Sequence, residues 1–390
     1  MLILHQHFKT PEEGGALRSY FLAQALVKRG DRVQVISGSN HKSVTVKNIE
    51  GIEVCYVPVS YSNYYGFWKR IFSFARFIGW IGLHSEKFIK NDLCYAISVP
   101  LTIGLAARWI KWRHRIPYLF EVGDLWPDVP FELKIIQSSI LKILLRRMEK
   151  KIYSEAHAIV ALSPPIKEAI RQKVTDKKIY VIPNMADYTF FKPETKSLDL
   201  QEKFGVRDNL VISYLGAIGF ANGLEYLLDC AKHCEERKLP IRFLVAGDGV
   251  ERENIMTKAK AMGLKNLSFI LFQNREGIRA IMNVTDVVLV CYRHSKILET
   301  GSPNKFFDGL AAGKVIFINF GGWIKNEIEK APCGMSLDPE NSASILNPVQ
   351  ELLSGNSLQE YQKHSRQLAE KFSRERLTRD WLGILDAEFK

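Results

Sequence analysis

A polar corner at residues 299–314 holds most of the side chains that could do chemistry. It reads ETGSPNKFFDGLAAGK and follows the apolar run DVVLVCY at 286–292, so it stands where a buried strand gives way to a helix. Ser302 is predicted to be the N-cap of that helix and Pro303 its first residue, because these residue types favour those positions. The helix should end at Gly313, after which another apolar run begins. A helix N-terminus is therefore predicted at the edge of a sheet.

Lys305 and Asp308 give this corner its chemistry. The first amide groups of a helix have no partner inside the helix and attract an anion, and the ammonium group of Lys305 adds a full positive charge. Asp308 comes three residues later on the same helix face, and its carboxylate can accept hydrogen bonds from hydroxyl groups. A nucleotide sugar, which combines a diphosphate with sugar hydroxyls, would satisfy all of these groups. The alternative is an ordinary capped helix with a Lys–Asp pair.

Other strand-to-helix corners have a similar arrangement. Gly14 and Gly15 precede the first predicted helix, where the lack of side chains lets the backbone approach a phosphate closely. The segments YLGAIGFANGLEYLL at 214–228 and VAGDGVERENI at 245–255 also place glycines between a strand and a helix. One glycine turn is a weak sign, but the repetition of this arrangement favours a nucleotide site.

Composition places the chain among globular proteins. Its 390 residues exceed one ordinary core, so two domains are predicted, and 46% hydrophobic with 25% charged residues is typical of a folded chain. The six cysteines have no pairing rhythm, which favours reduced thiols and a cytoplasmic location. Cys230 and Cys234 lack the partner ligands of a zinc site, so no metal is expected there. No apolar window is long enough to span a membrane, and the opening MLILHQHF is predicted to be a strand and not a signal peptide.

Basic and large apolar residues are mixed in three segments of the first half. These segments are 67–83, 108–115 and 141–153, in a chain whose net charge is +12. Such surfaces suit either nucleic acid or an anionic membrane leaflet. No nucleic-acid reader motif is found, and tryptophan and phenylalanine beside arginine are typical of helices in a bilayer interface. A membrane partner is therefore favoured over nucleic acid; the alternative is that the aromatic rings pack inside the protein.

Strand-like runs alternate with helix-length segments along the chain. The pattern predicts strands from LILHQHF to AIVALS at 158–163, a helix at 17–30, and a proline-containing link between domains at 178–193. The alternation restarts at 210–216 and continues to KVIFINF at 314–320. Two α/β domains with parallel sheets are therefore predicted, with ligands bound outside the carboxyl ends of the strands.

Together these motifs resemble the retaining glycosyltransferases of family 4, which share the two-domain GT-B fold. The matching pieces are the N-terminal GG corner with RVQVIS, then VIPNMADYTFFKP, YLGAIG, VAGDG and PNKFFDGLAAGK, in the family's order across essentially the whole chain. The segment EVGDLWPDV at 121–129 further resembles a bacterial branch that builds O-antigen, capsule and exopolysaccharide repeats on a lipid carrier. The resemblance implies two Rossmann-like domains that face each other across a cleft.

The resemblance also implies how the domains divide the work. Residues 1–185 would bind the acceptor and face the membrane, residues 186–372 would bind the donor, and residues 373–390 would form a helix that returns to the first domain. A hexose or N-acetylhexosamine would move from a nucleotide diphosphate sugar, with uridine as the predicted base, to a polyprenyl-diphosphate-linked saccharide. The transfer would retain the anomeric configuration and need no metal or cofactor. The protein would lie in the cytoplasm against the inner face of the cytoplasmic membrane.

The donor site is assigned from the same resemblance. The family signature is two acids with seven residues between them; Asp308 matches the second, which holds the ribose, but Thr300 occupies the first place and Glu299 stands one residue off. Glu299 is favoured as the contact to the donor sugar, with Thr300 or nearby backbone as the alternative. Asn222 stands where a diphosphate-gripping lysine is usual, so Lys305 is predicted to supply the charge. The predicted donor-binding residues are Gly14, Gly15, Gly216, Asn222, Gly247, Thr300, Gly301, Ser302, Pro303, Asn304, Lys305 and Asp308.

The acceptor side is assigned to the loop after PYLFEV. Asp124 is predicted to orient the acceptor hydroxyl and is grouped with Glu299 and Lys305 as catalytic, while Glu121 and Trp126 are predicted to line the acceptor side with it. An N-cap role is the alternative for Asp124. Negative charge that builds on the leaving phosphate would be stabilised by the helix amides and the lysine.

Two other functions stay open at this point. Nucleotide-sugar 2-epimerases also use two Rossmann-like domains, and such an enzyme would alter the donor sugar with no acceptor present. A non-catalytic basic protein that binds membrane or RNA would have no affinity for nucleotide sugars and would keep its binding after an Asp308→Ala substitution.

Overall fold

The computed structural model describes residues 1–62, 64–355 and 357–389, with their side chains except that of Phe67. Two sheets organise the chain, one formed within residues 2–181 and the other within residues 210–336. Helices pack on both sheets through continuous apolar clusters. This is the predicted two-domain α/β architecture.

The first sheet has eight strands in the order β3-β4-β2-β1-β5-β6-β7-β8. The strands are β1 (Leu2–Leu4), β2 (Val33–Gly38), β3 (Thr45–Ile49), β4 (Ile52–Val57), β5 (Cys94–Ile97), β6 (Tyr118–Val122), β7 (Ala158–Ala161) and β8 (Ile179–Val181). All neighbouring strands are parallel except β3, which forms an antiparallel hairpin with β4. Strand β3 was not predicted, because its sequence TVKNI is largely exposed at the sheet edge and contains no apolar run.

The helices of the first domain lie on both faces of this sheet. They are α1 (Arg18–Arg29), α2 (Phe67–Leu83), α3 (Ile103–His114), α4 (Asp128–Glu132), α5 (Ser139–Glu155) and α6 (Pro164–Arg171), with a 3-10 turn at Ser85–Phe88. Ile3 of β1 packs with Leu22 of α1 on one face, while Leu2 and Leu4 join Phe77 of α2 on the other. Successive side chains of a strand point to opposite faces, so a wholly apolar strand requires a layer of helices on each side.

The second sheet has six parallel strands in the order β11-β10-β9-β12-β13-β14. The strands are β9 (Leu210–Leu215), β10 (Ile241–Ala246), β11 (Leu267–Ile270), β12 (Val287–Val290), β13 (Val315–Ile318) and β14 (Gly334–Ser336). The helices are α7 (Leu198–Phe204), α8 (Glu225–Glu236), α9 (Arg252–Ala261), α10 (Arg275–Val284), α11 (Asn304–Ala311), α12 (Gly322–Lys330), α13 (Leu346–Leu353) and α14 (Leu358–Lys371), with 3-10 turns at Phe220–Asn222, Leu298–Thr300 and Ser342–Ile345. The strand order reverses between β9 and β12, and in the first sheet between β1 and β5. Such reversals open a crevice at the carboxyl ends of the strands.

The two passages of the chain between the domains lie side by side. The amide of Ala186 donates a hydrogen bond to the carbonyl of Phe372 at 2.8 Å. The last helix, α15 (Arg374–Phe389), then packs against α1 and places the ring of Trp381 5.1 Å from that of Tyr95 in the first sheet. The predicted return of the C-terminal helix to the first domain is confirmed, apart from the chain's final residue, which lies outside the described part.

The three basic–aromatic segments lie in helices α2, α3 and α5. Helix α2 packs against α3, and α3 packs against α5, so the three helices form one surface. One side of each helix is buried, through Phe77, Ile110 and Ile152, and the other side exposes large apolar residues to solvent. The most exposed are Trp68, Phe72, Leu83, Trp112 and Ile140. Of the helices in the described part of the chain, none is long and apolar enough to cross a bilayer.

Candidate functional site

A cavity of about 820 Å³ lies between the two domains. From the first domain it is lined by residues that follow strands β1, β5 and β6, among them His5, Ser98 and Asp124. From the second domain it is lined by Gly216 after β9 and Gly247 after β10. The carboxyl ends of both parallel sheets therefore meet at this cavity, as the strand orders require.

Helix α11 points its N-terminus toward this cavity. The helix begins at Asn304 and its N-cap is Pro303, so the prediction of Ser302 as N-cap and Pro303 as the first helical residue was wrong by one position. The hydroxyl of Ser302 instead accepts a hydrogen bond from the amide of Asn184, at 3.1 Å, because the corner is tied to the segment that links the domains. Ser302, Pro303, Asn304, Lys305 and Asp308 all line the cavity.

Lys305 places an ammonium group at this cavity. In the part of the chain that the structure describes, no carboxylate forms an ion pair with it, and the pair with Asp308 considered from the sequence is not made. Its Nζ lies 3.7 Å from the ring centre of Tyr214, and burial lowers the pKa of Lys305 to about 8. A half-buried cation with only an aromatic face beside it is suited to an anionic ligand.

Asp308 lies one turn further along α11, and its side chain is partly buried. Burial raises the pKa of Asp308 to about 7, and the positive charge of Arg275 opposes this rise. Arg275 begins helix α10 and pairs with Asp187 of the interdomain link. Arg275 and Asp308 also line a smaller adjoining cavity of about 100 Å³. The carboxylate is therefore available for hydroxyl groups and changes its charge close to neutral pH.

Two glycines at the second sheet let the backbones of adjacent corners touch. A Cβ atom on Gly247 would stand only 1.8 Å from the carbonyl oxygen of Gly216, and Gly247 has a φ of 154°. A Cβ on Gly216 would lie 3.3 Å from Cε of Lys305. Any larger residue would close the space around the lysine, which explains the glycine turns seen in the sequence.

The GG corner of the first domain faces the second domain. Gly15 lines both cavities, whereas Gly14 lines the smaller one and approaches the loop after β11, where a Cβ on Gly14 would lie 3.4 Å from Cα of Asn274. Asn222 also lines the large cavity, and its side-chain oxygen accepts a hydrogen bond from the amide of Gly219 at 3.2 Å. These predicted donor-binding residues are brought together around the two adjoining cavities.

Glu299, Thr300 and Gly301 are not among the residues that line either cavity. They belong to or follow the 3-10 turn Leu298–Thr300, which directs the carboxylate of Glu299 toward Gly321 and Gly322 at the start of α12. The hydroxyl of Thr300 donates to the carbonyl of Ile297, and the carbonyl of Gly301 accepts from the indole of Trp323. These groups therefore make contacts within the second domain and with Ser163 of the first, whose hydroxyl donates to the carbonyl of Thr300, and a contact of Glu299 or Thr300 with the donor sugar stays a prediction.

Of the three residues predicted to line the acceptor side, two line the cavity and one does not. Asp124 lines the cavity, and partial desolvation by the cavity walls raises the pKa of its carboxyl group. Glu121 also reaches the cavity wall, but Arg18 holds both of its oxygens at 2.9–3.0 Å and the hydroxyl of Tyr95 donates to it. Trp126 is not a lining residue and packs against the core of the first domain. Asp124 is thus the carboxylate of this loop that is presented to a ligand.

Several lining residues were missed from the sequence. Arg18 lies in the first turn of α1, where an acidic residue is more usual. This unusual residue type is the feature of the sequence that could have identified Arg18 as a site residue. Tyr292 lies two residues after the end of the buried strand β12, and the rule that ligands bind near strand ends would have found it. Gln273 and Phe272 follow β11, where no glycine turn marks the corner. Within the described residues, no group of three or more His, Cys, Asp and Glu side chains is arranged to hold a metal ion.

The chain matches two family models. Residues 13–185 match the glycosyl transferase 4-like domain, and residues 198–371 match the glycosyl transferases group 1 domain. The matches follow one another and together cover most of the chain. The protein therefore belongs to the glycosyltransferases of this two-domain, family-4 type, and the predicted family and GT-B fold are confirmed.

Among curated proteins the relatives are distant and partial. The chain is 24% identical over 221 residues to alpha-D-kanosaminyltransferase of Streptomyces kanamyceticus, which is 54% of this chain and 55% of the relative. It is 24% identical over 275 residues to probable glycosyltransferase WbjE of Pseudomonas aeruginosa, which is 67% of this chain and 66% of the relative. The chain thus spans between about half and two thirds of the length of these two relatives.

Solved structures match over nearly the whole chain. Sucrose-phosphate synthase from Thermosynechococcus elongatus has a TM-score of 0.80 at 16% identity, covering 100% of this chain and 98% of that one. HepE of Anabaena, in complex with UDP-glucose, has a TM-score of 0.75 at 15% identity, covering 99% of each chain. WaaG, a glycosyltransferase involved in lipopolysaccharide biosynthesis, has a TM-score of 0.71 at 14% identity, covering 98% and 99%. At these identities the similarity shows the fold alone.

Proposed function

We propose that this chain transfers a hexose or an N-acetylhexosamine from a nucleoside diphosphate sugar to a saccharide carried on a polyprenyl diphosphate, with retention of the anomeric configuration. The observation that carries the proposal is the ammonium group of Lys305 in the first turn of α11, which lines the interdomain cavity and has no ion-pair partner among the residues that the structure describes, with Asp308 one turn away. Uridine is the proposed base, in keeping with the UDP-glucose bound to the structural neighbour HepE. The lipid-linked acceptor is proposed because the exposed basic–aromatic helices belong to the same domain as Asp124.

The donor diphosphate would bind between Lys305 and the first amides of α11. A negative charge at this place would raise the pKa of Lys305 above its value of about 8, because an opposite charge favours the ammonium form. Gly216 leaves the lysine accessible from the side of β9. Asp308 would accept hydrogen bonds from the ribose hydroxyls, and it does so best above pH 7, where it is ionised. Each of these groups in the corner thereby gains a partner in the donor.

The chemical step follows from these charges. As the bond between the sugar and the phosphate breaks, negative charge builds on the departing diphosphate, where Lys305 and the helix amides are already oriented to stabilise it. The acceptor hydroxyl attacks from the same face, and the departing phosphate takes its proton. Asp124 would orient that hydroxyl from the opposite wall of the cavity. We propose that this preorganised cation and these amides supply the stabilisation without a divalent metal ion.

The acceptor would reach the cavity from a membrane surface. Helices α2, α3 and α5 present aromatic and aliphatic side chains beside lysines and arginines, and the chain carries a net charge of +12. An anionic leaflet attracts such a surface, because basic residues gain from the surface potential while apolar rings enter the interface. We therefore propose that the protein works in the cytoplasm, bound peripherally to the inner face of the cytoplasmic membrane.

Donor binding and transfer can be tested together. A thermal-shift panel of nucleotide sugars should identify a ligand that stabilises the protein, by about 2.7 kcal/mol at a concentration of 100 times its dissociation constant. The same nucleotide sugar should then label a polyprenyl-diphosphate-linked saccharide. Conversion of the donor to an epimer in the absence of any acceptor would refute the transferase proposal, and so would a panel in which no nucleotide sugar binds.

Membrane binding needs its own experiment. Wild-type protein should co-sediment with vesicles that contain phosphatidylglycerol and much less with phosphatidylcholine vesicles, and the double variant Phe72→Asp/Trp112→Asp should lose this binding at least about 10-fold. Leu198→Asp is the matched control, since Leu198 is 63% exposed on α7 of the other domain. Equal binding of the double variant and the wild type would contradict the proposed surface.

A further inference from the structure

His5 is a cavity residue to which the proposed reaction has not yet given a role. It directly follows β1, which lies between β2 and β5, where the strand order of the first sheet reverses. In parallel α/β sheets ligands bind at such a reversal, outside the carboxyl ends of the strands. The amide of His5 donates to the carbonyl of Ile36 in β2 at 3.2 Å, and the residue lines the interdomain cavity. The fold therefore places this histidine at the position in the first domain where a ligand is expected.

The imidazole ring of His5 is held from one side by helix α1. Its Nδ1 atom lies 2.8 Å from the hydroxyl oxygen of Ser19, which is buried in the first turn of that helix. Ser19 also lines the cavity. Among the residues that the structure describes, the other ring nitrogen, Nε2, has no hydrogen-bond partner. Because His5 is only partly buried and belongs to the cavity wall, Nε2 is the nitrogen that is left for a ligand.

The charge of His5 limits the kind of group that it can bind. Burial lowers the pKa of His5 to about 3, and the charge of nearby His7 adds to this fall, so the ring is neutral near pH 7. A neutral imidazole offers one donor and one acceptor and brings no charge to a diphosphate. A sugar hydroxyl both donates and accepts, so it can pair with Nε2 whichever ring nitrogen carries the proton. The site at His5 therefore suits a saccharide better than a phosphate.

The neighbours of His5 indicate which saccharide this is. Ser98 and Asp124 follow β5 and β6, the next two strands after β1 in the sheet order, and both line the same cavity. Lys305 and Asp308, the proposed donor contacts, come from the second domain. His5 thus shares a domain and a sheet edge with the residue that is proposed to orient the acceptor hydroxyl, which favours the acceptor over the donor sugar.

We propose that His5 binds a hydroxyl group of the acceptor saccharide through Nε2, and that Ser19 is a positioning residue that holds the ring for this contact. The inference rests on the proposed transfer, in which Asp124 orients the attacking hydroxyl, so His5 takes a different hydroxyl of the same saccharide. Such a contact sets specificity, because an acceptor that lacks this hydroxyl leaves a polar ring nitrogen without a partner when it binds. His5 therefore selects among acceptors and leaves donor binding unchanged.

The experiment uses two amide substitutions that differ in which ring nitrogen they replace. His5→Asn keeps a polar group close to Ser19 in place of Nδ1 and has none at Nε2, whereas the longer side chain of His5→Gln can put its amide near the position of Nε2. The quantity measured is kcat/KM for the polyprenyl-diphosphate-linked saccharide that the wild type labels, and for analogues that each lack one hydroxyl group other than the attacking one. For the wild type, one analogue should react about 10-fold more slowly than the complete acceptor. In His5→Asn the complete acceptor should be slower by the same factor, and the two acceptors should then react equally, within about 2-fold.

Two further variants separate this contact from a general effect on the site. His5→Gln should retain part of the discrimination between the two acceptors. Ser19→Ala should lose about 3-fold in kcat/KM for the complete acceptor, because the ring keeps its nitrogen but not its fixed direction. Donor affinity, measured by calorimetry with the nucleotide sugar that stabilises the wild type, should match the wild type in all three variants.

His7→Asn is the matched control, since the ring of His7 packs against Tyr61, with 4.3 Å between the ring centres, and His7 is not among the described residues that line the cavity. Its kinetics should equal those of the wild type. The assignment is overturned if His5→Asn still discriminates about 10-fold between the two acceptors, or if it weakens donor binding as much as it slows acceptor use. A wild type that uses every analogue as well as the complete acceptor would overturn it too. If the wild type transfers no sugar at all, the proposed function has failed, and that result is read before any variant is compared.

Discussion

Replacing Lys305 by methionine should weaken donor binding and, at the same time, stabilise the protein measured without donor. The ammonium group is half-buried and has no carboxylate partner in the described part of the chain, so it is a cost to the folded state until an anion binds. Methionine has a similar length and no charge, and it can fill the same space beside Tyr214. The two effects have opposite signs, which distinguishes a binding residue from one that merely supports the fold.

The magnitude follows from the pKa of Lys305. Burial lowers this pKa from 10.5 to about 8. One pKa unit corresponds to about 1.4 kcal/mol, so the penalty at neutral pH is at most about 3 kcal/mol, and partial exposure of the side chain reduces it. The ring of Tyr214, at 3.7 Å, returns about 1 kcal/mol that methionine forgoes. We expect a net gain of about 1 kcal/mol and a rise in Tm of about 2–3 °C.

The pH dependence has a definite sign. Between pH 8 and pH 10.5 the unfolded chain holds more protons on Lys305 than the folded protein does, so the wild-type free energy of unfolding should rise with pH in this window. The variant lacks this rise.

Donor binding should weaken about 10- to 150-fold, because a charge-assisted contact to a phosphate is worth about 1.5–3 kcal/mol.

Calorimetric titration with the nucleotide sugar and denaturant unfolding from pH 7 to pH 10 measure both effects. Lys325→Met is the control, since this lysine lies on the exposed face of α12 and pairs only with Glu329 in the described structure. Unchanged donor affinity in the Lys305 variant would refute the proposed site. A less stable variant would refute the account of Lys305 as an unpaired charge.

Three further substitutions test other parts of the site. Asp308→Asn should weaken donor binding about 10-fold at pH 8 and have less effect at pH 6, since the pKa of about 7 leaves the wild-type acid mostly protonated there; titration calorimetry at the two pH values measures this. Gly247→Ala should prevent stable folding of the second domain, because the new Cβ would collide with a backbone oxygen, whereas Gly383→Ala on α15 meets open space and should gain about 0.5–1 kcal/mol in urea unfolding. Glu121→Gln should cost about 3–5 kcal/mol in the same measurement, because it leaves the guanidinium of Arg18 buried without its counter-charge.

Much of the site could be predicted because of where parallel strands end. Apolar runs followed by glycine turns identify the corners at Gly216 and Gly247, and the carboxyl ends of neighbouring strands must meet at one edge. Helix capping rules predict the start of α11 to within one residue, and this prediction includes Lys305 and Asp308 at the corner. A short edge strand such as β3 escaped, since an exposed strand needs no apolar pattern.

Side-chain direction within a corner could not be predicted in this way. Glu299 stands one residue from the signature position, and spacing alone does not tell whether it turns toward the cavity or toward α12. Trp126 lies two residues from Asp124, yet it packs into the core while Asp124 faces the cavity. In irregular backbone, neither a helical nor a strand period relates neighbouring side chains, so only the folded loop decides.

The sequence by itself determined the two α/β domains, the family, and the corners at which a charged ligand can bind, because these depend on local patterns of apolar residues, glycines and helix starts. The tertiary structure decided which charges remain free. Arg18 meets Glu121 from 103 residues away and the two neutralise each other, whereas Lys305 has no acid as an ion-pair partner among the described residues. The physical reason is that a charge is neutralised by what lies within a few ångströms of it, and the chain acquires those neighbours only when it folds.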